Sequence, residues 1–173
     1  MKRNLITSAI AVVVFTVLLG IVYPLVVTGI SQVAFGSKAD GDMTLIARDM
    51  KGDPRYFQPR PSQTEYDPNA TFFSNRGPNS KEAADFYREQ VAAYRKLNGA
   101  DPPADAVTTS GSGVDPHISK ENAEIQARRV ARVRGIPLER VQQLVENNTD
   151  GRFLGLLGEP GVNVTKLNQA LDR

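Results

Sequence analysis

The stretch SGSGVDPHIS, residues 110–119, brings the residue types of a hydrolytic triad within a few positions of one another. Ser112, Asp115 and His117 could supply a nucleophile, an orienting carboxylate and a general base, and His117 is the only histidine of the chain. A triad, however, assembles side chains from different segments, and this serine lacks the Gly-x-Ser-x-Gly elbow between a strand and a helix. The pattern therefore argues against catalysis in this stretch.

Two other interpretations of the stretch remain. Gly111 and Gly113 precede Ser119, a good N-cap residue, and glycines before a helix N-terminus can expose backbone N–H groups to an anion. Against this, no Gly-Lys-Ser/Thr or dinucleotide fingerprint is present, and Asp115 would repel a phosphate. In the structural interpretation the glycines permit tight turns, His117 bonds locally and Ser119 caps the next helix. The residues favour this fixed docking or folding loop and leave anion binding open.

Composition excludes other kinds of site. The absence of cysteine excludes disulfides, thiolate metal ligands and a catalytic thiol. With a single histidine, a conventional zinc site would need three carboxylates or waters, so we expect no metal site. Of 21 basic residues, Lys2 and Arg3 precede the apolar segment, which leaves 19 against 19 acidic residues. The remainder is neutral and gives no support to nucleic-acid binding.

The N-terminal segment predicts a membrane anchor. Residues 4–37 contain no charge, and residues 5–30 are almost wholly apolar. This run exceeds the roughly 20 residues that a helix needs to cross a bilayer and the roughly 7–15 of a signal-peptide core. Lys2 and Arg3 predict a cytoplasmic N-terminus. We therefore expect an N-terminal segment 1–36, with a transmembrane helix at about 5–30, and a soluble exterior domain 37–173.

The soluble part predicts an α+β fold, with helices packed on a small sheet. Residues 38–80 are rich in Gly, Pro, Asn and Asp and predict short strands or extended segments joined by turns. Asn79 and Glu82 predict the start of the first helix, and Gly99 its end. Further patterns predict helices at 120–134, 137–148 and 164–171 and strands at 106–110 and 152–158.

Several residues are candidate contacts with other subunits. In the anchor, Tyr23, Pro24 and Gly29 predict either a kink near the proline or a face packed against other membrane helices. The prolines around Arg60 favour an extended segment with a projecting guanidinium, which suits a subunit contact or a structural tie. The arginine-rich end of the helix 120–134 is either a solvated face or a binding face. The candidate subunit contacts in the soluble part are Arg60, Gln126, Arg129 and Arg134.

Five segments in order resemble the KdpC family, the small subunit of the bacterial Kdp potassium-transporting P-type ATPase. They are YPLVVTGISQVAF (23–35), YFQPRPS (56–62), SNRGPNS (74–80), TSGSGVDPHIS with QARRVARVRG (109–119 and 126–135) and LGLLGEPGVNVTKLNQAL (154–171). The resemblance covers essentially the whole chain. Among the departures from the family pattern is Gly161, where an arginine is common.

The resemblance implies a non-catalytic accessory subunit in the bacterial inner membrane. Its partners would be a potassium-translocating subunit, an ATP-hydrolysing P-type subunit and a very small fourth subunit. The family is thought to stabilise this assembly and has been proposed to raise the ATP affinity of the hydrolysing subunit. The resemblance therefore implies that this chain binds no cofactor of its own and that ATP is possible only through the hydrolysing subunit. Two alternatives remain: an anchored exterior enzyme or solute-binding domain acting alone, and a cytoplasmic nucleotide-binding regulator.

Overall fold

The computed structural model describes residues 2–39 and 43–173, with the backbone alone for residues 36–39. The chain forms two compact units, Met1–Asp42 and Met43–Arg173. In the first unit, helix α1 spans Lys2–Val17, a π-helical turn spans Leu18–Val22 and helix α2 spans Tyr23–Ala39. The 34 residues from Lys2 to Phe35 are long and apolar enough to cross a membrane. This helix indicates a membrane anchor.

The π-helical turn lies beside Pro24, where a kink is predicted. Proline has no N–H, so the carbonyl of Gly20 loses its regular helical partner. One residue before the proline, the N–H of Tyr23 donates to the carbonyl of Leu18, five residues back. The wider turn moves the helix into a register that accommodates the proline ring, as π-bulges do in other helices.

The second unit is an α+β domain, which confirms the predicted fold class. Its helices are α3 (Lys81–Asn98), α4 (Ala104–Val107), α5 (Lys120–Arg134), α6 (Leu138–Asn147) and α7 (Val164–Leu171), with a 3-10 turn at Met43–Leu45. Its strands are β1 (His117–Ile118), β2 (Thr149–Asp150) and β3 (Gly161–Asn163). The sheet has the order β1-β3-β2 and both pairs are antiparallel, with Ile118 and Thr149 opposite Val162.

The helix boundaries follow the predicted capping residues closely. Ser119 Oγ accepts from the N–H of Asn122, and Asn163 caps α7 by accepting from the N–H of Lys166. The predicted start of α3 is wrong by one residue, since the side chain that accepts the N–H of Ala83 is that of Ser80. The N-cap residue is therefore Ser80, and the predicted Asn79 lies one residue before it.

The predicted strands at 106–110 and 152–158 are wrong. Residues 104–107 form the short helix α4, which follows Pro103 in the N-cap position. Residues 152–158 form a tight exposed hairpin loop, because Leu154, Gly155 and Gly158 adopt positive φ values of 52°, 75° and 83°. Within the described residues 43–80 the chain is extended or turned and forms no strand.

The core of the domain lies between α5, α6, α7 and the central strand β3. Small residues on α5 allow close packing: Ala123, Ala127 and Val130 are fully buried. Val141 of α6 and Leu167 of α7 are equally buried on the facing side. On α3, Ala83 and Tyr94 are buried, whereas Tyr87 is 40% exposed.

Candidate functional site

The segment 54–62, which turns at residues 54–56 and is extended from Phe57 onward, is bound by side-chain amides from two helices. Asn168 of α7 accepts from the N–H of Phe57 and donates to its carbonyl, both at 2.9 Å. Gln126 of α5 does the same for Gln58, at 2.7 and 3.1 Å. Because each amide both donates and accepts, the backbone N–H and carbonyl of two consecutive residues are satisfied without a neighbouring strand.

Arg129 continues this arrangement from the same face of α5. Its guanidinium donates to the carbonyls of Pro54 and Tyr56 and to the side chains of Asn98 and Gln126. The side chain is only 2% exposed, and none of these hydrogen-bond partners, in the part of the chain that the structure describes, is a carboxylate. Burial lowers the pKa of Arg129 to about 10. The arginine is therefore an internal tie between α3, α5 and the extended segment.

A carboxylate occupies the N-terminus of α5. Asp105 of α4 accepts from the backbone N–H and the hydroxyl of Ser119, both at 2.8 Å, and from the Asn122 amide at 3.1 Å. Asn122 also accepts from the Tyr94 hydroxyl, and it accepts from the Gln126 amide. An anionic ligand at this helix end would meet the negative charge of Asp105.

Two tyrosines border this polar network. Burial raises the pKa of Tyr94 above its ordinary value, and it raises that of Tyr66 to about 12. The Tyr66 hydroxyl donates to the carbonyl of Arg60 at 2.9 Å. These neutral phenols serve as hydrogen-bond donors inside the domain.

The loop 110–114 contacts three segments of the domain, the first through the N–H of Ala47, which donates to the carbonyl of Val114 at 2.8 Å. Ser62 Oγ donates to the carbonyl of Gly113 at 2.6 Å, and the N–H of Ser110 donates to the carbonyl of Pro61 at 3.3 Å. The N–H of Phe72 donates to Ser112 O at 3.3 Å. The loop also turns on itself, since Ser110 Oγ accepts from the N–H of Gly113. Its backbone groups are largely used within the fold.

Gly113 is the tightest position in this loop. Its φ is +79°, and a Cβ atom there would lie 2.7 Å from Thr64 Oγ1 and 3.2 Å from the carbonyl oxygen of Phe72. Gly111, two residues earlier, has nothing within 4 Å of its Cβ position. The two glycines of the motif therefore differ in role, and only Gly113 is required by close packing.

His117 bridges two carboxylates across the sheet. Nδ1 lies 3.0 Å from Asp115 Oδ1 and Nε2 lies 2.9 Å from Asp150 Oδ2. The ring reaches Asp150 over Gly161 of the central strand, where a Cβ atom would lie 3.2 Å from that of His117. Ser112 Oγ accepts from the N–H of Val114, and among the described residues no hydrogen bond joins it to His117. The triad residue types are near one another but do not form a catalytic chain.

The structure gives the remaining candidate residues the following positions. Arg60 donates to Thr108 and Thr109, and Arg134 donates to the carbonyls of Arg55 and Leu171 and to Asp172. Both are partly exposed, whereas Gln126 and Arg129 are buried and directed into their own domain. Tyr23, Pro24 and Gly29 are exposed on α2, with nothing within 4 Å of the Cβ position of Gly29.

Sequence reasoning did not identify several residues of this site. Asn122 was not named, and Gln126 and Arg129 were named only as candidate subunit contacts. The three recur at helical spacing beside the apolar stripe of α5, and this polar stripe is a signal that could have been recognised. Asn168 occupies an ordinary apolar-facing position of α7, and Asp105 lies in a segment interpreted as a connection. Nothing local distinguishes these two from solvated polar residues.

Comparison with known proteins identifies the family. Residues 5–173 match the family described as KdpC: K+-transporting ATPase, c chain. The chain belongs to the KdpC family. It is similar to proteins named Potassium-transporting ATPase KdpC subunit, with 46% identity to that of Mycobacterium tuberculosis (strain ATCC 25618 / H37Rv) over 100% of both chains. The corresponding protein of Koribacter versatilis is 44% identical, with 99% of this chain and 95% of the other covered.

A more distant KdpC relative, from Caldanaerobacter subterraneus, is 42% identical over 91% of this chain and 89% of its own. The family resemblance predicted from five separate motifs is thus confirmed. Two of the five motifs meet in the structure. Segment 56–62 hydrogen-bonds to both parts of the other motif, 109–119 and 126–135, around Gln58, Pro61 and Arg129.

We predict that the two glycines of the loop respond differently to the same substitution. Gly113→Ala should lower the free energy of unfolding by about 2–4 kcal/mol, because a left-handed backbone and a clash with Thr64 and Phe72 add together. Gly111→Ala should change it by about 0.5 kcal/mol or less. Thermal or urea unfolding of the two variants measures the difference. Equal midpoints would show that the loop is not packed as described.

Proposed function

We propose that this chain is a non-catalytic accessory subunit of an ATP-driven, high-affinity potassium uptake complex. It would assemble or stabilise the potassium-translocating and ATP-hydrolysing subunits, together with a very small fourth subunit. The observation that carries the proposal is the match to the KdpC family over residues 5–173. The apolar helix supports it, since such a helix can pack against the membrane helices of partners.

The non-catalytic role is supported by the contacts within the loop of residues 110–119. Its histidine is held between Asp115 and Asp150, and its serine accepts a backbone hydrogen bond. Asp105 occupies the helix end that would otherwise attract a phosphate. These contacts favour a folding or docking loop, and they leave ATP to be bound by the hydrolysing subunit, whose affinity this chain is proposed to raise.

The orientation we propose places the N-terminus in the cytoplasm and the domain 43–173 outside the cell membrane. Lys2 and Arg3 precede the apolar helix, and positive charge favours retention on the cytoplasmic side. An exterior domain would lie on the side from which potassium enters. It would therefore act on the translocating subunit more directly than on the site of ATP hydrolysis.

A second candidate function is a solute-binding domain that acts alone. The observation in its favour is an open cleft of about 290 Å³ between segment 49–66 and helices α3 and α5, lined by Tyr66, Tyr94 and Gln126 among others. Small-molecule sites usually have volumes of roughly 300–1,000 Å³ and enclose most of their ligand. The cleft is at the lower limit, so the accessory role is favoured.

Co-purification tests the assembly role. With a tag on this chain and the other subunits co-expressed, mild-detergent extraction should recover the translocating and hydrolysing subunits. Gly29→Leu should reduce their recovery about tenfold, because a bulky side chain prevents close helix approach. Ser31→Leu is the matched control, since positions two apart on a helix do not share a face. Recovery of the wild-type chain as a lone monomer would instead support the solute-binding alternative.

Cysteine labelling tests the orientation. Because the chain has no cysteine, Glu89→Cys on α3 and Asn4→Cys near the N-terminus each create a unique thiol. Glu89 is exposed on the soluble domain. We expect a membrane-impermeant maleimide added to whole cells to label Glu89→Cys and to label Asn4→Cys only after permeabilisation. The opposite pattern would refute the exterior domain.

A further inference from the structure

The hairpin loop of residues 152–158 exposes four large apolar side chains. Phe153, Leu154, Leu156 and Leu157 have 69%, 79%, 82% and 63% of their surface accessible, and every residue from 151 to 159 is exposed. Together they present an apolar area on the order of 500 Å², comparable with the patches that mark interaction sites on soluble proteins. The domain does not cover this tip.

The hairpin has a defined conformation. Phe153 N–H donates to Leu157 O at 2.8 Å and Leu157 N–H donates to Phe153 O at 3.0 Å. The N–H groups of Gly155 and Leu156 donate to the carbonyls of Arg152 and Phe153. At the base, one Arg152 nitrogen lies 2.9 Å from both carboxylate oxygens of Glu159. The apolar side chains are therefore presented on a formed turn, which lowers the entropy cost of docking.

The charges around the tip distinguish a protein partner from a lipid surface. Segments that bind membrane surfaces through apolar residues usually have basic flanks that attract anionic lipids. The charged residues that flank this tip are one base, Arg152, and two acids, Asp150 and Glu159, which give a net charge of −1. Arg152 is already paired with Glu159. An apolar centre with a polar rim that includes an ion pair is typical of protein interfaces.

We propose that the tip formed by Phe153, Leu154, Leu156 and Leu157 inserts into an apolar pocket on the potassium-translocating subunit, which an exterior domain would lie beside. The rim of that pocket would carry cationic or hydrogen-bond-donating groups that complement the carboxylates of Asp150 and Glu159, which stay exposed beside their pairs with His117 and Arg152. This inference rests on the accessory function proposed above and assigns part of the assembly to one surface. It places an anchor of aromatic and aliphatic side chains at the centre of the contact, as at interface hot spots.

The first test is recovery of the complex. The double variant Leu154→Asn, Leu156→Asn should reduce recovery of the other subunits about tenfold, while the isolated full chain keeps its unfolding midpoint. Val133→Asn, at an exposed aliphatic residue of α5, is the control and should leave recovery unchanged. Undiminished recovery with the double variant would overturn the proposal. Loss of recovery with both variants would overturn it as well, because the effect would not be specific to the tip.

The second test locates the tip. Leu156→Cys, labelled with an environment-sensitive fluorophore, is examined in the full chain in vesicles with and without anionic lipid, and again in the complex. We expect water-soluble quenchers to reach the probe in the chain alone and to be excluded in the complex. Quenching by brominated lipid in the chain alone would identify the membrane as the occupant and overturn the proposal. Quenching by the water-soluble quencher in the complex would also overturn the proposal for the tip. The accessory function would still stand in either case if the wild-type chain co-purifies with the other subunits.

Discussion

The domain depends on the pairing of the backbone groups of two residues, Phe57 and Gln58, with two side-chain amides. The segment that contains Phe57 and Gln58 is interrupted by prolines at 54, 59 and 61, so it cannot join the sheet as a regular strand. Its buried N–H and carbonyl groups would be costly if they had no partners. Asn168 and Gln126 supply those partners from α7 and α5. The small sheet is thereby supplemented by a segment whose two central residues, Phe57 and Gln58, are held by side chains.

Arg129 extends the same interaction and explains why α5 is central. A buried guanidinium that contacts only neutral oxygens keeps its charge at a cost, which its lowered pKa reflects. In exchange for this cost, the guanidinium satisfies three acceptors at once, namely the carbonyls of Pro54 and Tyr56 and the side-chain amide of Asn98. Helix α5 thus connects the extended segment, α3 and the loop that leads into its own N-terminus. A domain of this kind can present a fixed surface to other subunits.

The parts of the fold that the sequence could predict are those governed by local rules. Ser119, Asn163 and Gly135 act as caps because capping requires only the neighbouring backbone, and the apolar helix follows from composition. The prediction of a strand at 152–158 was wrong because it assumed that apolar residues are buried. The glycines instead turn this segment into a projecting tip. The roles of Asn168 and Asp105 depend on partners that lie 111 and 14 residues away in the chain. Such long-range polar pairs leave no local pattern.

Amide hydrogen exchange at Phe57 and Gln58 tests this central claim most directly. In Asn168→Leu the Phe57 amide loses its acceptor, so its exchange should accelerate about tenfold or more relative to that of Val130 in the core of α5. The exposed neighbour Gln169→Leu provides the control and should leave both amides unchanged. Unaltered exchange at Phe57 in Asn168→Leu, or an equal acceleration at Val130, would contradict the account.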